Sequence, residues 1–411
     1  MSHELDRADA PPSAWARLRD ALGLERNIIV MLLALLALGA GEELWSRFAP
    51  KYLEMLGGGV WVVAAYGTLK DLLDAILPYP GGWLSDHLGR RRALAAFALS
   101  AAVGYVIYLI GPSWQWFLVG TCFAVAWNSL ALPAIFAVIG DHLPAAKRGT
   151  GFSVQSLWKR VPIVIAPPIG GALIAAFGLA AGVRIGFAVS ILLAVLAVVI
   201  IRHLYAEAAG PGVVRLRFGE VWRGLDRRLK RLLVADVLAR WAEGIPKVFI
   251  VLYVLDVLRR APTEFGWLVS LQMFVATVIY LPLARLADRM NRKPFVLTTF
   301  VLFALFPLVL VLVNGTIGLA VAFILAGLRE VGEPARKALI VDLCPPAARG
   351  RSVGVYYLAR GLTVFPASFA GGWLWAIDPS YPFYAAFAIG VVGVVAYGIW
   401  GADDGAIRSS E

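Results

Sequence analysis

Residues 82–92 read Gly82-Trp83-Leu84-Ser85-Asp86-His87-Leu88-Gly89-Arg90-Arg91-Arg92, a short polar stretch between two long apolar runs. A second stretch, residues 280–293, aligns with residues 79 onward at a separation of 202, with Tyr280 one place out of register with Tyr79. At that separation Pro282 matches Pro80, Asp288 matches Asp86 and Arg292 matches Arg90. The two stretches therefore predict that the chain arose by tandem duplication.

A second pair of segments supports the duplication. The residues Asp141, Pro144, Arg148 and Gly149 match Asp342, Pro345, Arg349 and Gly350 at a separation of 201. Further along, Gly170-Gly171 matches Gly371-Gly372 at the same separation. A register held over this length predicts two structurally equivalent halves.

The composition places both halves in a lipid bilayer. The chain has 411 residues, of which 60% are hydrophobic and 16% are charged, and its mean hydropathy is +0.76. A water-soluble globule could not bury this much apolar surface. Since a spanning helix needs about 20 apolar residues, we predict twelve, six in each half: 27–55, 60–83, 93–111, 116–140, 150–177, 183–202, 232–257, 264–285, 294–313, 317–341, 352–376 and 382–400.

The placement of the basic residues predicts the topology. The net charge is +11, but the Lys and Arg residues occupy alternate loops, which favours a membrane protein over a nucleic-acid-binding one. The short opposite loops near Gly57, Pro112, Gly178 and Gly315 carry almost no basic residues, and Arg259 with Arg260 is the exception. By the positive-inside rule both termini are expected in the cytoplasm, in an inner (cell) membrane.

The same reasoning divides the chain into five parts. We expect a cytoplasmic segment with an amphipathic helix (1–26), a first bundle (27–202), a cytoplasmic linker with a second amphipathic helix (203–231), a second bundle (232–400) and a tail (401–411). No Gly-rich loop ending in Lys-Ser or Lys-Thr is present, so ATP is not expected as fuel. Cys122 lies within a predicted span and Cys344 beside a loop, so we expect no disulfide.

The pattern Gly-x-Leu-Ser-Asp-x-x-Gly-Arg-Arg at residues 82–91 resembles the signature loop of the major facilitator superfamily, between its second and third helices. The resemblance implies two pseudo-symmetric six-helix bundles that work by alternating access, in a drug- or metabolite-exporter-like branch. It also implies a gating loop formed by Gly82, Asp86, Gly89, Arg90 and Arg91. In the weaker copy, with Asp288 and Arg292, Ala284 and Asn291 replace the two glycines, so we expect weaker gating there.

Ionisable residues inside the spans are the candidate site, because a charge at the bilayer centre must face a cavity or a partner. Helix one carries Glu42, Glu43 and Arg47, and Glu243 in helix seven lies 201 residues after Glu42, flanked by Arg240 and Lys247. In helix four, Trp127-Asn128 corresponds to Leu328-Arg329 in helix ten, which Glu330 and Glu333 follow. The resemblance implies that helices one, four, seven and ten line the pathway, so these residues should meet at the midplane.

Consecutive residues of a helix point about 100° apart, so we expect only one of Glu42 and Glu43 to face the pathway, and favour Glu42. Glu43 would then pair with Lys159, Arg160 or Arg360. A buried Glu42–Arg47 ion pair is the structural alternative. Lys70, Asp71 and Asp74 are predicted to form a local cluster, with Lys70 and Asp74 one helical turn apart.

Two family patterns bear on energy coupling and direction. Phe117 stands three residues before Gly120, where proton-coupled members often carry Arg, which weakens the prediction of proton coupling. Glu42, Glu243 or Glu330 could still accept a proton. The segment Ala166-Pro167-Pro168-Ile169-Gly170-Gly171 lacks only the first Gly of the helix-five exporter pattern and favours export.

The cargo is the least determined property. Basic side chains are numerous on the predicted pathway helices and their neighbours, and they would favour an anionic or zwitterionic solute if they outnumber the acids at the cavity. Aromatic side chains that could stack on a solute are Trp45, Trp127, Trp158, Tyr356 and Tyr357. The predicted substrate and coupling residues are Glu42, Glu43, Arg47, Trp127, Asn128, Lys159, Arg240, Glu243, Arg329, Glu330, Tyr356 and Arg360.

The hypothesis is therefore a monomeric secondary transporter that needs a small-molecule substrate, a proton or other coupling ion and the bilayer, but no cofactor and no metal. Alternatives left open are a gradient-driven facilitator or exchanger, an exporter of siderophores, metals or lipids, and a membrane sensor without transport. A membrane enzyme acting on lipid is disfavoured, since His3, His87, His142 and His203 have no evident nucleophile as partner.

Overall fold

The computed structural model describes residues 25–142, 145–206, 222–344 and 349–401. The predicted terminal segments (1–26 and 401–411) lie almost entirely outside these ranges, and of the predicted linker (203–231) residues 203–206 and 222–231 are described. Throughout the described ranges the regular structure is helical.

Six helical rods make up the first half. Their bounds are Arg26–Met55 (α1), Val60–Ile76 continued by Pro78–Leu88 (α2), Arg90–Ile110 (α3), Trp114–Ala124 continued by Ala126–His142 (α4), 145–177 (α5) and 179–204 (α6). The break between α5 and α6 is Gly178, whose φ of 82° lies in the left-handed region that suits glycine.

Six further rods make up the second half. They are Arg227–Gly244 continued by Ile250–Leu252 and a π-helical turn at Tyr253–Val257 (α7), Pro262–Arg289 (α8), Arg292–Leu312 (α9), Gly315–Asp342 (α10), Arg349–Val364 continued by Ala367–Ile377 (α11), and Tyr381–Trp400 (α12).

Eight stretches among the described residues are long and apolar enough to cross a membrane, and one of them, Val154–Leu204, contains both α5 and α6. The rods outside these stretches are α2, α7 and α11, each of which carries charged residues in its interior, such as Lys70, Asp236 and Arg360. Twelve rods in two halves thus account for the twelve predicted spans, and the predicted all-α membrane fold is confirmed. The helix boundaries were less accurate: α2 continues to Leu88, through most of the stretch predicted as a loop.

The repeat is visible in how the helices cross within each half. A side chain added at Gly170 of α5 would collide with the carbonyl oxygen of Leu44 in α1, and one at Gly371 of α11 would collide with that of Ile245 in α7. Gly371 lies 201 residues after Gly170, and Ile245 lies 201 residues after Leu44. The halves therefore repeat a helix crossing as well as a sequence motif.

The second glycine of each pair packs across the boundary between the halves. Gly171 lies against the backbone of Pro262 in α8, and Gly372 of α11 lies against Ala64 in α2. These two crossings, α5 with α8 and α2 with α11, join the halves. At the end of the bundle near the α1–α2 and α7–α8 connections, the Lys51 ammonium also binds the Asp256 carboxylate at 2.5 Å across the same boundary.

Candidate functional site

A cavity of about 310 Å³ lies between the two halves. In the first half it is lined by α1 and α2, and in the second half by α7, α8, α9 and α10. Its charged lining consists of four acids and four bases: Glu42, Glu43, Glu243, Glu330, Arg47, Lys70, Lys247 and Arg329.

Breaks in the helices present these side chains. The first helical segment of α1 ends at Glu43, and a 3-10 turn at Ser46–Phe48 follows. In α7 regular helix stops at Gly244 and resumes at Ile250, and in α10 a 3-10 turn occupies Arg329–Gly332. Broken helices expose backbone and side chains to a polar cavity, which is how membrane proteins build solute sites at mid-depth.

In the first half, Glu42 is held mainly by a neutral group. The Asn128 side-chain amide of α4 donates to Glu42 Oε2 at 2.6 Å, and the Lys70 ammonium lies 3.8 Å from Oε1. Glu43 accepts from Arg47 Nε at 3.0 Å. The carboxylate and amide predicted to meet from helices one and four therefore do so.

The structure corrects two expectations about this pair of acids. Both Glu42 and Glu43 line the cavity. The first helical segment of α1 ends at Glu43, just before the 3-10 turn, and two faces of α1 border the cavity at this point. Arg47 pairs with Glu43 rather than Glu42. The predicted partners of Glu43 are engaged elsewhere: Arg160 binds Glu330 and Arg360 contacts Asp236.

In the second half, Glu243 is held by two guanidinium groups. Arg240 Nη1 donates to it at 2.8 Å, and Arg329 Nη1 lies 3.7 Å away. Arg329 also donates from Nε to the Ala326 carbonyl at 2.9 Å and stacks on the ring of Phe306, 5.2 Å from its centroid. Glu243 and Arg329, predicted to meet at the midplane, thus face the same cavity as Glu42.

Next to Arg240, the partner of Glu243, lies a buried ionic network that the sequence did not reveal as a unit. The Asp236 carboxylate, 1% exposed, accepts from Arg336 at 2.6 Å and from the Tyr356 hydroxyl at 2.9 Å, and Arg360 lies 3.4 Å away. Glu333 binds Arg336 at 2.7 Å and also binds Arg240. The sequence offered two signals for this network. Asp236 is an acid inside a predicted span, and Arg336 follows Glu333 by about one helical turn.

Two ion pairs cross between the halves at the cavity. Lys247 of α7 donates to Asp71 of α2 at 2.6 Å, and Arg160 of α5 donates to Glu330 of α10 at 2.7 Å. In the predicted local cluster of α2, Asp74 and Asp71 do act electrostatically on Lys70, but their hydrogen bonds are to other helices: Asp71 binds Lys247, and Asp74 accepts from the Ser129 hydroxyl of α4. Partners on other helices were invisible to the i, i+4 rule.

Six predicted site residues lie outside the cavity lining, and two of them, Asn128 and Arg240, bind the lining acids Glu42 and Glu243. Trp127 is 2% exposed and packs in the hydrophobic core of the first half. Tyr356 and Arg360 belong to the buried network around Asp236, and Lys159 is exposed. The sequence repeat assigned these residues to helices that lie at or beside the cavity. Whether a side chain faces the cavity depends on how its helix is rotated, which the repeat does not specify.

The signature loop forms a compact unit of its own. Arg90 Nη1 donates to Asp86 at 2.6 Å and to the Ser85 hydroxyl at 2.9 Å, and Arg91 donates to the carbonyl of Arg202 at the end of α6. Gly89, with φ of 82°, makes the turn that separates α2 from α3. Gly82 packs in ordinary contact with Pro133 of α4.

The second copy achieves the same turn by other means. Asn291, where the first copy has glycine, caps α9 by accepting from the backbone N–H of Lys293 at 2.9 Å. Arg292 donates to Asp342 at 2.5 Å. The side chain of Asp288 lies outside the described residues. Within the part of the chain that the structure describes, no group of three or more His, Cys, Asp or Glu side chains could hold a metal ion.

Comparisons with known proteins agree with this architecture. The sequence matches the family model of the Major Facilitator Superfamily over residues 58–229 and 232–408. It is 27% identical over 358 residues to the multidrug resistance protein MdtH of Photorhabdus laumondii, covering 84% of this chain and 86% of that protein. It is 20% identical over 379 residues to an uncharacterized MFS-type transporter of Methanocaldococcus jannaschii, covering 90% and 93%.

Solved structures show the same fold. The nucleoside transporter NupG aligns with a TM-score of 0.76 at 11% identity, covering 92% of this chain and 100% of that one. The human organic anion transporter MFSD10 aligns with a TM-score of 0.63 at 15% identity, covering 90% and 98%.

Proposed function

The chain belongs to the major facilitator superfamily, whose members are transporters, and we propose that it exports a small charged organic solute by alternating access, driven by protons. The observation that carries the proposal is a cavity between the halves whose lining includes Glu42, Glu243 and Arg329. Because each half contributes part of the lining, a movement of one half against the other changes access to whatever the cavity holds.

The contacts of the two central acids favour Glu42 as the proton acceptor. Glu243 has two guanidinium partners, so neutralising it would leave Arg329 without its nearest carboxylate and Arg240 with Glu333 as its remaining close acid. Glu42 has a neutral amide at 2.6 Å and an ammonium only at 3.8 Å, so a proton on its carboxylate disrupts less. Protonation of Glu42 would also remove its attraction for Lys70. A proton that changes this contact can favour one of the two arrangements of alternating access over the other.

The charges at the cavity favour a zwitterionic solute over a simple anion. The condition for an anionic cargo was an excess of bases, but four acids and four bases line the cavity. Arg329 is a suitable partner for an acidic group of the solute, because its nearest carboxylate, Glu243, lies 3.7 Å away and its guanidinium can bind a carboxylate through two N–H groups. Glu42, with its weak counter-charge, is the matching partner for a basic group.

Direction and location rest on the relatives and on the charge pattern. Several relatives are called multidrug resistance proteins, and the helix-five segment that ends in Gly170-Gly171 is close to the exporter pattern, so we propose outward transport. The basic residues of alternate loops favour the inner membrane, with both termini in the cytoplasm. We propose that one chain is the working unit, since the cavity is formed by the two halves of a single chain.

The test is transport by purified protein in liposomes. A thermal-shift screen of zwitterionic, anionic and cationic compounds selects a solute, and its uptake is then measured into vesicles whose interior is acidic, with the membrane voltage clamped by potassium and valinomycin. We expect accumulation above the outside concentration that collapses when the pH gradient is dissipated. Arg329→Gln should weaken binding at least tenfold, whereas Arg228→Gln, an exposed position at the start of α7 outside the cavity lining, should not. Equilibration without accumulation would instead identify a facilitator.

A further inference from the structure

The cavity is asymmetric, although the chain is a repeat. From the first half only α1 and α2 reach it, whereas in the second half it enters the bundle between α7, α8, α9 and α10. The lining inside the second bundle is mainly apolar, with Val251, Phe265, Val269, Phe306, Phe323 and Ala326, and it also includes the Gln272 side chain of α8.

The matching space in the first bundle is filled by aromatic rings. Trp45 is 3% exposed, and its ring centroid lies 5.2 Å from that of Tyr108, 6.3 Å from Phe117 and 5.0 Å from Phe187. Its indole N–H donates to the Ser190 hydroxyl at 3.0 Å, which fixes the ring in place. The interior of the first bundle is therefore closely packed with aromatic rings around Trp45.

At the matching positions the second bundle carries smaller residues, one of which, Pro246, lines the cavity. Adding 201 to Trp45 and Phe117 gives Pro246 and Gly318, and adding 202, the separation of Arg90 and Arg292 at the starts of α3 and α9, takes Tyr108 to Leu310. Each counterpart is smaller than the ring it replaces. Interiors are close-packed, so replacing rings with small residues leaves either a collapse or a space.

A second substitution keeps that space open. Gly104 of α3 lets α4 approach until an added side chain would lie 2.7 Å from the carbonyl of Gly120. Its counterpart 202 residues later is Phe306, which packs edge-on against Phe323 of α10 at 6.0 Å. Rings thus stand between α9 and α10 where glycine lets α3 and α4 touch.

We infer that the second bundle holds an apolar subsite that takes the hydrocarbon or aromatic body of an amphiphilic solute, bounded by the six residues named above. The charged group of the solute then lies among the charged residues of the cavity, because Arg329 contacts both regions. The Arg329 guanidinium is 5.2 Å from the Phe306 ring and 3.7 Å from Glu243. The inference rests on the proposed function for the charge of the solute, but the existence of the subsite does not depend on it.

The subsite can be probed without a known substrate by cysteine labelling. Ala326 lines the cavity, and its counterpart 201 residues earlier is Val125, which is similarly buried in the first half. In the full chain with the exposed Cys122 changed to Ser, N-ethylmaleimide should modify Ala326→Cys at least tenfold faster than Val125→Cys. Equal rates would overturn the subsite.

Occupancy is tested with a homologous series of zwitterions. Calorimetry measures binding of 2-aminobutanoic, 2-aminohexanoic and 2-aminooctanoic acids, and burial of each added methylene should tighten binding about fourfold. Ala326→Phe should flatten the series, and so should Ala326→Cys after modification with N-ethylmaleimide, which fills the space in protein that has already folded. A series that is flat in the wild type, or still steep after filling, would overturn the subsite.

The two proposals fail separately. Steep binding without uptake of these acids into the liposomes would overturn the transport proposal and leave the subsite in place. Uptake with a flat binding series would overturn the subsite alone.

Discussion

Replacing Asp236 with Asn tests whether the buried network behind the cavity holds the second bundle together. The carboxylate is 1% exposed and contacts Arg336, Tyr356 and Arg360 at 2.6, 2.9 and 3.4 Å. The Asn side chain keeps the shape but removes the negative charge, which leaves Arg336, 2% exposed, with Glu333 as its remaining acid.

Removing one partner of a buried ion pair destabilises a protein by roughly 3–5 kcal/mol, because the other charge stays buried. Since Arg336 keeps Glu333 at 2.7 Å, we expect the low end, about 3 kcal/mol, or about a hundredfold in the unfolding equilibrium. The matched control is Asp342→Asn, which breaks the pair with Arg292; these side chains are 41% and 18% exposed. An exposed pair contributes about 0–1 kcal/mol.

The assay is reversible unfolding of the purified protein in mild detergent by titration with sodium dodecyl sulfate, followed by tryptophan fluorescence. A double variant, Asp236→Leu with Arg336→Met, removes both charges and should be more stable than Asp236→Asn, because no isolated charge remains in that pair. If Asp236→Asn destabilised the protein no more than Asp342→Asn does, the network would contribute no more than a surface pair, and the reasoning would be refuted.

Two further predictions concern packing and closure. Gly170→Ala should destabilise the protein by about 1–3 kcal/mol through collision with the Leu44 carbonyl, while Gly354→Ala, which meets nothing within 4 Å, should be neutral or slightly stabilising in the same unfolding assay; equal effects would contradict the close crossing of α1 and α5. Lys51 binds Asp256 across the halves and Glu54 within α1, at 2.5 and 2.6 Å. Asp256→Ala should therefore speed maleimide labelling of Val251→Cys severalfold and Glu54→Ala should not, and identical rates would show that this ion pair does not close that end of the cavity.

The sequence was sufficient for the number of helices, the duplication and the helices that carry the site, because hydropathy and register are local properties. The matched positions Glu42 and Glu243 do reach one cavity. Gly170 and Gly371, recognised only as a repeated pair, make the same carbonyl contact in both halves.

Partners in space were predicted less well. Arg160 was assigned to an acid of its own half but binds Glu330 of the other, and Asp71 was assigned to a local cluster but binds Lys247. Such pairs depend on how each helix is rotated and on which helices cross between halves, and neither is encoded in periodicity along one helix. The apolar end of the cavity was missed because no motif marks it; the small Pro246 lines the cavity at the position where the first half has Trp45.

The most direct test of proton coupling through the cavity is accumulation of the selected solute by Glu42→Gln protein in liposomes with an acidic interior. We predict that this variant still exchanges labelled for unlabelled solute but no longer accumulates it, while Glu25→Gln, an exposed acid at the start of α1, behaves as the wild type. Accumulation by Glu42→Gln to the wild-type level in the same pH gradient would contradict the account.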